Sequence, residues 1–123
     1  MNKVLLCIGS NTNALFNLKR AINKLQLNFK DIQFTETAKS RPYGEIYKQS
    51  FLNTLAYFET NMNKDELVLS LKSIEEEMGR QPEHKAEGKV IIDIDLIKWN
   101  DEIVKSEDFK RDYVRKLLAF IPK

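Results

Sequence analysis

Chemically busy residue types are scarce in this chain: one cysteine, one histidine and one tryptophan, with only four glycines and three prolines as punctuation in 123 residues. A single cysteine, Cys7, excludes an internal disulfide framework. Its place in the apolar run at residues 4–8 makes a reduced, cytoplasmic setting the default expectation. No charge of one sign dominates. Twenty Lys and Arg against 18 Asp and Glu leave a net charge of +2, too mild to argue for nucleic acid or an anionic membrane as partner. Long hydrophobic runs are also missing. The stretch at 4–8, after Met1-Asn2-Lys3, is too short for a signal-peptide core and far too short for a membrane span. No GxxxxGK[ST] phosphate loop occurs, so a nucleotide would have to be held by a metal and basic side chains. Internal repeats, low-complexity tracts and linkers are absent as well.

What remains is 42% hydrophobic and 31% charged residues, the composition of one compact domain over residues 1–123. Such a domain buries roughly two-thirds of its unfolded surface. Residues 4–8 read as a short strand ended by the turn cluster Gly9-Ser10-Asn11. Asn11 or Asn13 is placed to cap a helix over about 14–26, where Leu15, Leu18, Ile22 and Leu25 recur at helical spacing. Residues 32–38 alternate as a strand, 40–47 form a loop around Pro42 and Gly44, and 51–60 give the longest strand. Asn63 caps a second helix along Leu67, Leu71, Ile74 and Met78, stopped by Gly79. A polar loop over 80–88 leads to a last strand at 90–99, and Phe109, Tyr113, Leu117 and Phe120 suggest a C-terminal helix. The order strand, helix, strand, strand, helix, strand predicts an α+β, ferredoxin-like βαββαβ fold. It has a four-stranded antiparallel sheet with helices on one face, plus the C-terminal helix. The second sheet face is left open for a site.

The last strand poses the functional question. Within Lys89-Val-Ile-Ile-Asp-Ile-Asp-Leu-Ile-Lys-Trp99, Asp93 and Asp95 interrupt a core-like run. Residues two apart on a strand face the same way, so the carboxylates stand together on the face opposite Ile92, Ile94 and Leu96. A wet face of an antiparallel sheet accounts for alternating polar residues without any function. A divalent cation also accounts for them. Mg²⁺ takes oxygen ligands, often one or two carboxylates plus substrate phosphates, which makes the pair a candidate metal site for phosphoryl chemistry. Basic segments flank it: Arg80, His84, Lys85 and Lys89 before, Lys110, Arg111, Arg115 and Lys116 after. Metal on one side and cations on the other suit a triphosphate.

Four ordered segments carry a resemblance to the 6-hydroxymethyl-7,8-dihydropterin pyrophosphokinase family of folate biosynthesis. They are Ile8-Gly-Ser-Asn11, the run at 41–55 reading RPYGEIYKQSFLNTL, Ile74-Glu-Glu-Glu-Met-Gly-Arg80 and Ile91-Ile-Asp-Ile-Asp-Leu-Ile97. The resemblance implies a Mg²⁺-dependent transfer of pyrophosphate from ATP to the pterin hydroxymethyl group, with AMP released. It implies that Asp93 and Asp95 hold two Mg²⁺ ions, with Arg80 as a further catalytic cation facing the phosphates; Lys89, which supplies charge where the family has an arginine, is the other candidate. It assigns the pterin to Asn53, Phe51, Pro42, Tyr43 and Gly44, and the nucleotide to Glu75 and Arg80; from the basic segment after the strand, Lys110, Arg111 and Arg115 are further candidates for the nucleotide. ATP and a pterin are then the partners, with neither nucleic acid nor membrane, and the oligomeric state is not legible.

The chain departs from the family where Gly88-Lys89-Val90 stands for the usual Gly-Pro-Arg, and where Asp112-Tyr113-Val114-Arg115 stands for a segment bearing a histidine. Its C-terminal part is also shorter than the family's. Lys89 is a point charge without the planar fork of arginine. Two rival readings follow: a relative that binds pterin or nucleotide without transfer, and a ferredoxin-like module that binds RNA through sheet aromatics. The second is disfavoured because two carboxylates on the open face repel a phosphate backbone.

Overall fold

A computed structural model describes residues 1–41 and 49–121. Pro42, Tyr43 and Gly44 lie outside the described residues. The chain runs β1 (Asn2–Ser10), α1 (Ala14–Asn28), β2 (Gln33–Phe34), β3 (Ala38–Ser40), β4 (Phe51–Thr60), α2 (Lys64–Glu77), β5 (Asp93–Trp99), β6 (Glu102–Ile103), α3 (Ser106–Phe109) and α4 (Asp112–Leu117). The strands form one antiparallel sheet in the order β2-β4-β1-β5-β6, with β3 also pairing β4. Sequence position is thus interleaved in space, the first strand lying between the third long run and the last, as the split βαβ arrangement requires.

The sheet has six strands where four were expected. The run expected at 32–38 is divided. Thr35 stitches the break: its backbone N–H donates to Leu55 O at 2.9 Å, its Oγ1 accepts from Leu55 N at 3.0 Å, and its carbonyl accepts from Thr54 Oγ1 at 3.0 Å. Side-chain bonds there take the place of a regular ladder. The added strand β6 returns from β5 through Asn100, whose left-handed φ of 53° makes the tight turn that asparagine tolerates. Its backbone N–H and Oδ1 close on Lys3 O (2.7 Å) and Lys3 N (2.8 Å).

Between the sheet and α1 and α2 lies the main core, with Leu6, Ile8, Leu18, Leu25, Leu67 and Leu71 each at most 2% exposed. Burying each contributes on the order of 2 kcal/mol. The opposite face was expected to be open. Instead α4 lays Val114 and Leu117 against Leu5, Cys7, Leu55 and Ile97, covering one part of it. One irregularity matters in β5. Leu6 pairs with Leu96 but Leu5 pairs with Lys98, so one extra residue bulges at this point.

Caps and turns set the element ends. Asn63 and Glu66 exchange side-chain-to-backbone bonds of 2.9 and 3.1 Å, a reciprocal capping box at the start of α2. Gly79, at φ 95°, lets the chain turn out of that helix. Asn13 stands at the N-cap of α1 without a side-chain cap bond. Asn11 serves a different purpose. It accepts from Val90 N at 2.7 Å and donates to Gly88 O at 3.0 Å, tying the 80–90 segment to the end of β1. With that tie in place, regular pairing of β5 begins at Asp93 rather than Val90.

Candidate active site

The site is built by register. Gly9 of β1 pairs with Asn53 of β4 on one side and Asp93 of β5 on the other; in the next row Cys7 pairs with Leu55 and Asp95. Cross-strand partners share a face. Asn53 and Asp93 therefore face the same way from strands two apart, roughly 10 Å from backbone to backbone. Between them Gly9 contributes no side chain. A Cβ built there would sit 2.9 Å from Asn53 Oδ1, so this glycine makes the room that the carboxamide occupies. The sequence reading had ended β1 before Gly9; the strand continues through Ser10 and puts Gly9 at the middle of the site.

Asn53 is 2% exposed, and its Nδ2 donates to Ala38 O at 3.1 Å and Ser40 Oγ at 2.9 Å. That fixes the amide's orientation and points its oxygen toward Gly9. Phe51, two residues before, is also buried and lines the same region.

Asp93 and Asp95 open onto a cavity of about 700 Å³ that is also lined by Phe51, Glu75, Arg80 and Lys105. Arg80 is the hub of its wall. It donates to Glu75 Oε2 at 2.9 Å, Asp93 Oδ1 at 3.0 Å and Ile92 O at 3.2 Å. Glu75 in turn accepts from Ile94 N at 2.7 Å, so a helix carboxylate binds the outer edge of β5 beside the acidic pair. On the other side Lys105, between β6 and α3, donates to Asp95 Oδ1 at 2.7 Å.

These contacts set the electrostatics. Burial, reinforced by the neighbouring charge of Asp93, pushes the Asp95 carboxyl up to about 6, while Lys105 pulls the other way. Burial also raises Glu75, against the bonds from Ile94 and Arg80. For Arg80, burial works to lower the pKa, but Glu75 and Asp93 outweigh it and the net direction is up; Lys105 rises for the same reason beside Asp95. Beneath the pair, Cys7 is pushed up to about 12 by burial and sits 3.7 Å from Tyr113 Oη, a neutral thiol with no nucleophilic character.

As a metal site the donor set is two carboxylates on one face, close enough for the charge of Asp93 to act on Asp95. Among the described residues no group of three or more His, Cys, Asp and Glu could enclose an ion. The set fits a hard divalent cation whose remaining ligands are phosphate oxygens and water, and does not fit a closed, all-protein cage.

The structure thus brings Asp93, Asp95, Arg80 and Glu75 together around one cavity, with Phe51 at its edge and Asn53 in a small adjoining pocket shared with the two aspartates. Arg111 also lines the cavity, held by Asp108 at 3.1 Å. Lys89 lies instead in a neighbouring depression with Lys72, His84 and Lys85. Lys110 and Arg115 are exposed and are not among the cavity's lining residues. Their positive charges belong to the outer surfaces of the C-terminal turns. Glu75, expected on the nucleotide, spends its carboxylate on Arg80 and the β5 edge.

Sequence reasoning missed Gly9, Lys105 and Asp108. A glycine inside a strand signals close approach of another group, and that signal was present once β1 is drawn to its full length. Nothing in the sequence flags Lys105 among 20 basic residues, because only the β5–β6 hairpin folds it back onto Asp95.

Known proteins resemble this chain over most of its length. The family described as 7,8-dihydro-6-hydroxymethylpterin-pyrophosphokinase matches residues 5–123. The chain is 32% identical over 112 residues to the 2-amino-4-hydroxy-6-hydroxymethyldihydropteridine pyrophosphokinase of Aquifex aeolicus (strain VF5), a match covering 89% of this chain and 69% of that protein. It is 28% identical over 106 residues to the enzyme of the same name from Haemophilus influenzae, covering 83% of this chain and 65% of that one. It is 30% identical over 112 residues to the folic acid synthesis protein FOL1 of Dictyostelium discoideum, where the match covers 89% of this chain and only 17% of the relative. Matched over nearly its whole length, the chain belongs to the 7,8-dihydro-6-hydroxymethylpterin-pyrophosphokinase family.

Proposed function

We propose that this chain transfers pyrophosphate from ATP to the hydroxymethyl group of 6-hydroxymethyl-7,8-dihydropterin, in the cytoplasm and with Mg²⁺. In the reaction the pterin hydroxyl oxygen bonds to the β-phosphorus, the bond from that phosphorus to the oxygen of AMP breaks, and the hydroxyl proton is lost. Asp93 and Asp95 are the groups that would hold Mg²⁺. Bound there, the ions supply charge neutralisation at the attacked phosphorus and a template for in-line approach. Arg80, pinned by Glu75, presents its guanidinium beside Asp93 and balances phosphate charge. Asn53 offers the pterin a carbonyl oxygen of fixed direction, its amide being held by Ala38 and Ser40, and Phe51 supplies a flat apolar contact. Fixing both reactants over one sheet face converts a bimolecular encounter into a positioned one.

The observation that carries this reading is the row Asn53-Gly9-Asp93: a fixed amide and a carboxylate aimed onto the same face, with a glycine between them that leaves room for the amide oxygen. The test is to incubate the protein with ATP, Mg²⁺ and the pterin and to measure AMP by chromatography. Asp93→Asn and Asp95→Asn should each lower the rate at least about a hundredfold. The placement of Lys89, Lys110 and Arg115 away from the cavity favours a second reading, a relative that binds without transfer. Calorimetric binding of pterin or nucleotide with no AMP formed would establish it instead.

A further inference from the structure

We propose that Lys105 is an exchangeable counter-ion, held by Asp95 and handed over to nucleotide phosphate when a divalent metal takes that carboxylate. The inference rests on the metal reading above and adds a residue to the nucleotide site.

The two cations at the acidic pair are held very differently. Arg80 has three acceptors, Asp93, Glu75 and the Ile92 carbonyl, and Glu75 is only 12% exposed. Loss of Asp93 to a metal leaves Arg80 anchored by the other two. Lys105 is bound to Asp95 Oδ1 at 2.7 Å, with its side chain 46% exposed and that of Asp95 22% exposed. Its contact is one short charge-assisted bond from a flexible four-carbon stem, at the join between β6 and α3. At 22% exposure the Asp95 carboxylate is costly to leave uncompensated, and the Lys105 ammonium compensates it.

A divalent ion on the same oxygen repels an ammonium within a few ångströms, so the two compete for Asp95. The displaced Nζ stays within the 700 Å³ cavity, whose other cations are Lys72, Arg80 and Arg111. Among the described residues the remaining carboxylate of the lining, Asp108, is already engaged by Arg111 at 3.1 Å. The strongest acceptor then in reach of Lys105 is the phosphate chain that the metal brings with it. Lys105 accordingly weakens metal binding by itself and strengthens binding of the metal–nucleotide complex. A purely structural lysine has no reason to produce this opposite pair of effects.

The experiment measures Mn²⁺ alone, by electron paramagnetic resonance, and then a Mg²⁺-bound non-hydrolysable ATP analogue, by calorimetry. The full chain is compared with Lys105→Met, Lys105→Arg and Asp95→Asn. Lys105→Met should bind Mn²⁺ roughly three- to tenfold more tightly and the metal–nucleotide analogue about tenfold more weakly. Lys105→Arg should bring the analogue's affinity back toward that of the parent chain. Unchanged or weaker Mn²⁺ binding in Lys105→Met overturns the competition, and unchanged affinity for the analogue overturns the hand-over. Asp95→Asn reports on the underlying reading separately: if it binds Mn²⁺ as well as the parent chain, the metal assignment fails whatever Lys105 does.

Discussion

Replacing Gly9 by alanine tests the central row of the site. The added methyl lies 2.9 Å from Asn53 Oδ1, while its next neighbours, Leu52 O and a ring carbon of Phe51, stand at an ordinary 3.7 Å. A methyl carbon at 2.9 Å from an oxygen overlaps it by a few tenths of an ångström, so the carboxamide must rotate or withdraw. It is buried at 2% exposure and fixed by bonds of 2.9 and 3.1 Å from Nδ2, so withdrawal stretches or breaks both. At about 1 kcal/mol net for each bond, the loss is about 2 kcal/mol. Removing a flexible glycine from a strand interior returns about 0.5–1 kcal/mol. Gly9→Ala should therefore cost roughly 1–1.5 kcal/mol in urea unfolding, and pterin affinity should fall with the displaced amide. A double-mutant cycle isolates the cause. In an Asn53→Ala background the clash has no partner, and Gly9→Ala should become neutral or stabilising. Equal costs in both backgrounds, or a Gly9→Ala chain as stable as its parent, would refute the reasoning.

Three further outcomes follow from the same contacts. Glu75→Ala leaves the Ile94 N–H without its 2.7 Å acceptor and should lower stability by about 2–3 kcal/mol, while Glu75→Gln keeps an acceptor and should cost under about 1 kcal/mol in the same urea assay. Asp95 has a folded-state pKa raised to about 6, so the folded chain binds its proton more tightly than the unfolded chain does. Ionising it therefore destabilises the fold, with no penalty below about pH 4 and the full penalty above about pH 6. In EDTA, Asp95→Asn should be more stable than the parent at pH 7.5 by about 1–2 kcal/mol, under a ceiling of about 3 kcal/mol, and the gap should close by pH 4. A gap that widens on acidification contradicts the assignment. Cys7, with a thiol pushed up to about 12 and 8% exposure, should react with a disulfide reagent at pH 8 no faster than global unfolding exposes it.

Much of this architecture was legible because periodicity reports on burial. The 4-3-4 spacing of Leu67, Leu71, Ile74 and Met78 is the buried stripe of α2, and Asn63 with Glu66 marks its start. The shared face of Asp93 and Asp95 follows from strand geometry alone. What escaped is whatever depends on partners distant in sequence. The division at Thr35 is made by side-chain bonds to Thr54 and Leu55, some 20 residues away. Glu75 reads as one more acid on an acidic helix, and only packing of α2 beside β5 turns it into a strand-edge acceptor. The C-terminal periodicity of Tyr113 and Leu117 announced a helix but not the sheet face it covers. Of the basic residues proposed for the nucleotide, Arg80 and Arg111 line the cavity and Lys110 and Arg115 do not, because a cluster in sequence is distributed around short turns whose sides face different ways.

The extra residue in β5 has a consequence for how this strand tolerates change. On an unbroken strand Asp93, Asp95, Ile97 and Trp99 would all project from one surface. The bulge shifts the phase, so that Ile97 packs beneath α4 while Trp99 packs with the cluster under α1 and α2. Upstream of the kink, alternation is dictated by chemistry; downstream it is dictated by anchorage. Straightening the strand without removing a residue would leave the acidic pair in place and send the indole to the wrong layer, whereas deleting one residue at the bulge would keep Trp99 opposite Val4. The far end of this hairpin therefore keeps its layers only if the dislocation is retained or is removed together with one residue.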